Sequence, residues 1–263
     1  MDLQLTNKLA LVTGSTAGIG LAIAKTLAEE GATVIVNGRS QESVDEAITQ
    51  VQSVAKGKVM GSAADLSSSE GVDKAIEQYP QLDILVNNLG LYETKSFNEI
   101  TDDDWQKLFD TNVMSGVRLS RAYLPKMLDK NWGRIIFISS ESALNIPQEM
   151  IHYGMSKAAQ IAVARGLAEM TANTAVTVNS VLAGPTKSRG VKDFLQQMAE
   201  QKNISVAEVE EEFFAEERPN SIIQRFAETQ EVANLVTYVA SSLSSATNGA
   251  ALRVEGGIVQ SPF

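Results

Sequence analysis

Seven short apolar runs alternate with amphipathic helical stretches along this chain, and that alternation limits its possible folds more than any other feature. The runs at residues 9–13, 33–37, 58–63, 83–86, 134–139, 176–182 and 250–254 read as strands. Several are almost unbroken in aliphatic and β-branched residues, without the polar alternation of a strand that keeps one face wet. This predicts strands covered on both faces. Between them, Val44, Ala47, Ile48 and Val51 fall at i, i+3, i+4 and i+7, as do Val232, Leu235, Val236 and Val239. That spacing is the stripe of a helix with one buried side. Strand and helix in turn predict an α/β fold: a doubly wound parallel sheet with right-handed crossovers and helices on both faces.

With 263 residues, 44% of them hydrophobic, the chain can bury one large core. No repeat, low-complexity tract or Pro/Gly-rich linker divides it, so residues 1–263 are expected to form a single domain. Residues 186–220 exceed a simple crossover and read as two added helices. The first carries Val191, Phe194, Leu195 and Met198 at core spacing. The second starts at Ser205, where Glu208 completes a capping box. Helices inserted beyond the carboxyl ends of strands commonly cover a site, so this segment is expected to be a helical substrate lid. Phe213, Phe214 and Met198 are open to two roles, pocket lining and packing. The acidic run Glu208, Glu210, Glu211 and Glu212 reads as a solvated helix face.

Composition removes several function classes. There are no cysteines and one histidine, His152, which leaves no thiolate or multi-histidine metal site and no disulfide. A net charge of −10 without a basic patch argues against nucleic acid and anionic membranes as partners. The start of the chain lacks a basic leader, and the apolar stretch 9–24 is broken by Gly14, Gly18 and Gly20. A soluble cytoplasmic protein is expected.

The first strand runs into Thr13-Gly14-Ser15-Thr16-Ala17-Gly18-Ile19-Gly20, and a helix follows on Ile19, Ile23 and Leu27. Glycines there allow a tight turn and close backbone approach to a pyrophosphate, while the helix N-terminus offers N–H groups and partial positive charge. At the end of the second strand, where an acid usually holds the adenosine ribose, stand Gly38 and Arg39. A carboxylate would repel a 2′-phosphate, whereas a guanidinium matches it with two parallel donors. NADP(H) is therefore favoured, with NAD(H) the alternative.

Tyr153 and Lys157 lie four residues apart at the start of an Ala-rich helix and share a face. An ammonium near the phenol favours the phenolate, bringing a tyrosine toward acid–base work. Ser140 ends the fifth strand, at the edge where open α/β sheets bind ligands, and is placed to donate to a developing oxyanion. His152, one residue from Tyr153 and about 100° around the helix, is expected at a cap or the surface.

Together, Thr13-Gly14-x-x-x-Gly18-Ile19-Gly20, Asn87-Asn88-Leu89-Gly90, Ser140 and Tyr153-x-x-x-Lys157 resemble the ordered motifs of the short-chain dehydrogenase/reductase family. The likeness extends to Val254-Glu255-Gly256-Gly257 at the end of the chain. It implies a Rossmann-like, seven-stranded sheet and a tetrad of Asn112, Ser140, Tyr153 and Lys157. In it, Tyr153 is the general acid, Ser140 polarises the carbonyl, and Lys157 tunes Tyr153 and holds the nicotinamide ribose. Asn112 would hold a water that links Lys157 to solvent. The resemblance also sets Asp65 and Leu66 against adenine, Asn87 near the adenosine ribose, and Thr186 and Ser188 near the nicotinamide amide. Ser15, Thr16, Ile19 and Gly90 join the cofactor set through their motifs. Leu89 replaces the usual alanine, and Ala183 stands where a Pro-Gly pair would begin. The implied reaction is carbonyl–alcohol interconversion on a small molecule, in a homo-oligomer (dimer or tetramer), with 3-oxoacyl reductases among the compatible types. A catalytically silent dinucleotide sensor is the competing reading.

Overall fold

The computed structural model describes residues 2–262. Strands β1 (Leu9–Val12), β2 (Thr33–Gly38), β3 (Val59–Ala63), β4 (Ile84–Asn87), β5 (Gly133–Ser140), β6 (Val176–Ala183) and β7 (Ala251–Val254) form one sheet in the order β3-β2-β1-β4-β5-β6-β7. All neighbours pair in parallel. Every expected strand is present, with ends displaced by a single residue. The order reverses between β1 and β4, which opens a crevice at their carboxyl ends.

The helices are α1 (Gly18–Glu29), α2 (Gln41–Gln52), α3 (Ser69–Gln78), α4 (Asp102–Phe109), α5 (Ser115–Asp129), α6 (Ile151–Glu169), α7 (Arg189–Lys202), α8 (Val206–Glu216) and α9 (Thr229–Ala240). One face of the sheet is covered by α1, α2 and α9, the other by α3, α5 and α6. The strands serve both faces at period two. Along β5, Ile136 and Ile138 enter the first core while Ile135 and Phe137 enter the second. Each such residue contributes roughly 1.5–3 kcal/mol of burial, so the doubly apolar strands are what hold the two layers of helix to the sheet. Among the described residues, no helix is long and apolar enough to cross a membrane.

The segment after β6 contains the two expected helices, and Ser205 with Glu208 forms the capping box at the start of α8. Two expectations inside it are corrected, and one open reading is decided. Phe194 is exposed, because the stripe that packs is Val191, Leu195, Met198 and Ala199 (i, i+4, i+7, i+8), and Phe194 lies outside it. Phe213, Phe214 and Met198 close a small core with Phe226 and Val209 rather than facing a cavity; the Phe213 and Phe226 rings stack at 4.8 Å. The acidic run is not simply solvated. Glu210 pairs with Lys187 at 2.7 Å and accepts from the Phe226 N–H, and Glu212 pairs with Lys202 at 2.5 Å.

Candidate active site

Gly14 and Gly18 adopt φ of +59° and +57°, the left-handed region in which a side chain is strained. Gly20 is required for space: a Cβ there would stand 2.5 Å from the Asn88 Nδ2 and from the Gly14 carbonyl. The turn is tied beneath by Asn88, whose amide donates to the Thr13 and Gly14 carbonyls at 2.9 and 3.1 Å. Thr13 Oγ1 accepts from the N–H groups of Asn88 and Leu89. Ser15 faces inward, donating to the Val12 carbonyl and accepting from the Asn37 N–H, so its hydroxyl holds the loop and not a ligand. The first turn of α1 has no side-chain cap. It opens on a cavity of about 450 Å³ lined by Thr16, Gly18, Ser188, Arg189 and Lys192. Uncapped N–H groups, backbone stripped of side chains and a basic rim fit an anionic pyrophosphate.

At the end of β2, a Cβ on Gly38 would come within 2.5 Å of Thr16 Cγ2, so no acidic side chain is accommodated there. Arg39 is exposed beside Ser40, the N-cap of α2. Asp65 is exposed and its carboxylate accepts from Ser67, whereas the Leu66 side chain belongs to the second core, leaving only its backbone to face a ligand. The Asn87 side chain lies against α5, donating weakly to Ser120 at 3.4 Å. Thr186 donates to the Gly184 carbonyl, and Ser188 caps α7 next to Gly18. Leu89 packs partly into the second core.

A second cavity, about 170 Å³, opens at the carboxyl ends of β4, β5 and β6. Ile19, Gly90, Tyr92, Ser140, Tyr153 and Lys157 line it together, with Ala183 at its edge. Ser140 Oγ accepts from the Ser142 N–H at 3.1 Å, and its hydroxyl beside the Tyr153 phenol acts to lower the phenol's pKa. Lys157 is buried, its Nζ 5.6 Å from the centre of the Tyr153 ring. It donates to the Ile138 carbonyl at 2.9 Å and to Gln160 Oε1 at 3.2 Å. The chain reaches Asn112 through a π turn, Asp110–Met114, between α4 and α5. α4 begins on the expected Thr101/Asp104 capping box. The Asn112 side chain does not bond back to its own helix: Oδ1 accepts from the Leu91 N–H, and Nδ2 donates to the Leu91 carbonyl and to Ser156.

The electrostatics differ from the sequence expectation. Burial pushes the Tyr153 phenol up to about 12; the Ser140 hydrogen bond opposes the rise and the Glu141 charge adds to it. Burial also pulls the Lys157 ammonium down to about 8. At 5.6 Å, with its protons directed to Ile138 and Gln160, Lys157 does not overcome the cost of desolvating a phenolate in this cleft. A protonated Tyr153 is the form that can give a proton.

His152 is fully buried, edge-on to Trp105 of α4 at 5.8 Å, which corrects its expected place at a cap or the surface. Sequence reasoning quoted Asn88 in a motif without giving it a role, and it missed Gln160 and the pair Glu141–Arg218. Arg218, just after α8, donates to Glu141 Oε1 at 3.2 Å, while Glu141 Oε2 is buried without a partner. Glu141 follows Ser140, so this bond ties the segment after α8 to the end of β5. Desolvation raises the Glu141 pKa and Arg218 opposes it. Arg218→Met is expected to destabilise the fold by about 3 kcal/mol at pH 7, since it strands a buried carboxylate. A raised folded pKa costs stability only above the unfolded value, so the deficit disappears as the medium becomes acid enough to protonate Glu141 in both states. Urea unfolding at pH 7 checks this; a variant as stable as the parent would show that Glu141 does not need its partner.

A family model described as short chain dehydrogenase matches residues 8–199. The chain belongs to the short chain dehydrogenase family. Family relatives include the uncharacterized oxidoreductase YvaG of Bacillus subtilis (strain 168), 49% identical over all of both chains. Another is the 3-oxoacyl-[acyl-carrier-protein] reductase FabG of Aquifex aeolicus (strain VF5), 33% identical over 98% of this chain and all of the relative. Among solved structures of the family, L-sorbose reductase from Gluconobacter frateurii, complexed with NADPH and L-sorbose, superimposes with a TM-score of 0.94 at 28% identity. That match covers 99% of this chain and 100% of the reductase. The fold is thus the family's Rossmann-like sheet, and the family is one of oxidoreductases.

Proposed function

We propose that this protein is an NADP(H)-dependent oxidoreductase that interconverts a small-molecule carbonyl and the corresponding alcohol, with Tyr153 as the general acid/base. The observation that carries this reading is the convergence of the Ser140 and Tyr153 hydroxyls with Lys157 around one cavity at the carboxyl ends of the strands. When bound, the nicotinamide supplies or accepts the hydride at the substrate carbon. In the reducing direction Tyr153 gives its proton to the carbonyl oxygen, and Ser140 donates a hydrogen bond to the same oxygen as charge gathers on it. Lys157 lies close enough to stabilise the resulting phenolate. Gly14, Gly18, Gly20, Thr16, Ile19, Gly90 and Ser188 form the cradle, and backbone groups at Asp65, Leu66, Asn87 and Thr186 complete the dinucleotide contacts.

The structural likeness to a sorbose reductase bound to NADPH supports NADP(H) and a hydroxyketone as the substrate class to test first; 3-oxoacyl thioesters follow. The cysteine-free composition favours a reducing cytoplasm, and a homotetramer is the assembly to test. Arg39→Asp is expected to reverse cofactor preference, raising the NADPH Kd by at least tenfold while NADH changes little. The loss of one charge-assisted bidentate pair is worth about that factor. Fluorescence titration with both nucleotides measures the ratio; an unchanged ratio removes Arg39 from the cofactor site.

A further inference from the structure

Gln160 is almost completely buried, three residues beyond Lys157 on α6, and belongs to no motif in the sequence. Its side-chain oxygen accepts from Lys157 Nζ at 3.2 Å, and its side-chain nitrogen donates to the Asn112 backbone carbonyl at 2.6 Å. The Asn112 side chain makes no hydrogen bond to Lys157. Its amide protons go to the Leu91 carbonyl and Ser156, and its oxygen accepts the Leu91 N–H. The hydrogen bonds that link Asn112 to Lys157 run through Gln160.

The π turn explains how this is possible. Ser115 N–H donates five residues back to the Asp110 carbonyl, and such widened turns redirect backbone groups at functional sites. The Asn112 carbonyl then faces α6, where Gln160 takes it.

We propose that Gln160 is a positioning residue of the catalytic apparatus, holding the Lys157 ammonium in place and coupling it directly to the Asn112 carbonyl. This rests on the proposed role of Lys157 beside Tyr153. An ammonium has three N–H groups and no acceptor. Ile138 and Gln160 take two of them, which leaves one for a ligand in the cavity. Because Gln160 offers a neutral carbonyl in a desolvated site, it favours the charged lysine against burial. The groups facing Nζ are the Ile138 carbonyl from β5, Gly90 after β4, Asn112 on the π turn, and Tyr153 and Gln160 on α6. Tyr153 is the one of these that titrates, and burial is the one cause of the low Lys157 value.

The test is the titration midpoint of the Lys157 Nζ, followed by NMR on lysine-¹⁵N-labelled, cofactor-free protein. It compares the parent with Gln160→Met and Gln160→Glu. Methionine removes the acceptor and should lower the midpoint by about one unit; glutamate adds a charge and should raise it by about one unit or more. Opposite shifts, with NADPH affinity weakened at least threefold in Gln160→Met, are expected. A merely structural glutamine would move stability without moving the midpoint in two directions. A folded Gln160→Glu protein with an unmoved midpoint overturns the proposal even if Gln160→Met does not fold. The midpoint is read without cofactor or substrate. Shifts as expected in a protein that turns over no carbonyl would therefore overturn the reaction while leaving the placement of Gln160 standing.

Discussion

Tyr153→Phe is expected to lower kcat by a factor of about 10³ or more and to leave the NADPH dissociation constant within about twofold of the parent. The variant removes one oxygen. That oxygen is the proposed proton donor, and burial keeps it protonated, with a pKa pushed up to about 12. A positioned general acid contributes roughly 10²–10⁴ in rate, and of the other hydroxyls lining that cavity Ser139 donates to the Lys157 carbonyl and Tyr92 is exposed, which leaves Ser140. Binding should survive because the cradle is backbone. Gly14, Gly18 and Gly20 shape it, and Asn88 holds it from below. The ring itself remains in place, packed edge-on to Tyr92 at 6.4 Å. Steady-state rates beside a binding titration separate the two quantities. A variant that keeps most of its kcat would move the general acid elsewhere.

Lys157→Met should damage function while stabilising the cofactor-free fold. Lys157 titrates near 8 when folded and near 10.5 when unfolded, because burial disfavours its charge. For a depressed pKa, the stability associated with the group is present above the unfolded value and lost as pH falls through the folded one. Below pH 8 the parent therefore carries a penalty of about 3 kcal/mol that methionine does not. Leaving the Ile138 carbonyl and Gln160 Oε1 without their donor returns about 1 kcal/mol each. The net expectation is a gain of about 1 kcal/mol at pH 7 that turns into a loss of about 2 kcal/mol above pH 10.5, together with a loss of at least 10² in kcat. Urea unfolding at the two pH values reads the first effect. A variant less stable than the parent at pH 7 would mean that the hydrogen bonds of Lys157 outweigh its desolvation.

What the chain order shows of itself depends on how local the physics is. The strands were legible because β1, β2 and β5 are apolar on both faces, a pattern confined to short runs of residues. The glycine turn was legible because its demands on φ and space fall within seven residues. Capping boxes at Thr101 and Ser205 are local in the same way. The features that escaped are tertiary. Gln160 acquires its role only because a π turn 48 residues earlier in the chain presents a carbonyl to it. Arg218 and Glu141 are 77 residues apart. His152 is buried because Trp105 of a different helix covers it. Ser15 has the right residue type for a phosphate contact, but the end of β2 turns its hydroxyl inward. The sign of the Tyr153 shift escaped for a further reason. Four-residue spacing predicts that Lys157 shares its face, yet the distance and the competing acceptors that decide the electrostatics are set by β5 and Gln160.

The central claim is hydride transfer to a carbonyl carbon with Tyr153 supplying the proton, and isotope transfer tests it most directly. The protein, saturated with NADPH carrying deuterium at the reactive nicotinamide carbon, is incubated with hydroxyketones, 3-oxoacyl thioesters and simple ketones, and the products are weighed by mass spectrometry. The account predicts deuterium on the carbinol carbon of at least one product, and its loss in Tyr153→Phe. A folded protein that binds NADPH and passes no label to any of these carbonyls, or one that passes it equally well without the Tyr153 hydroxyl, would contradict it.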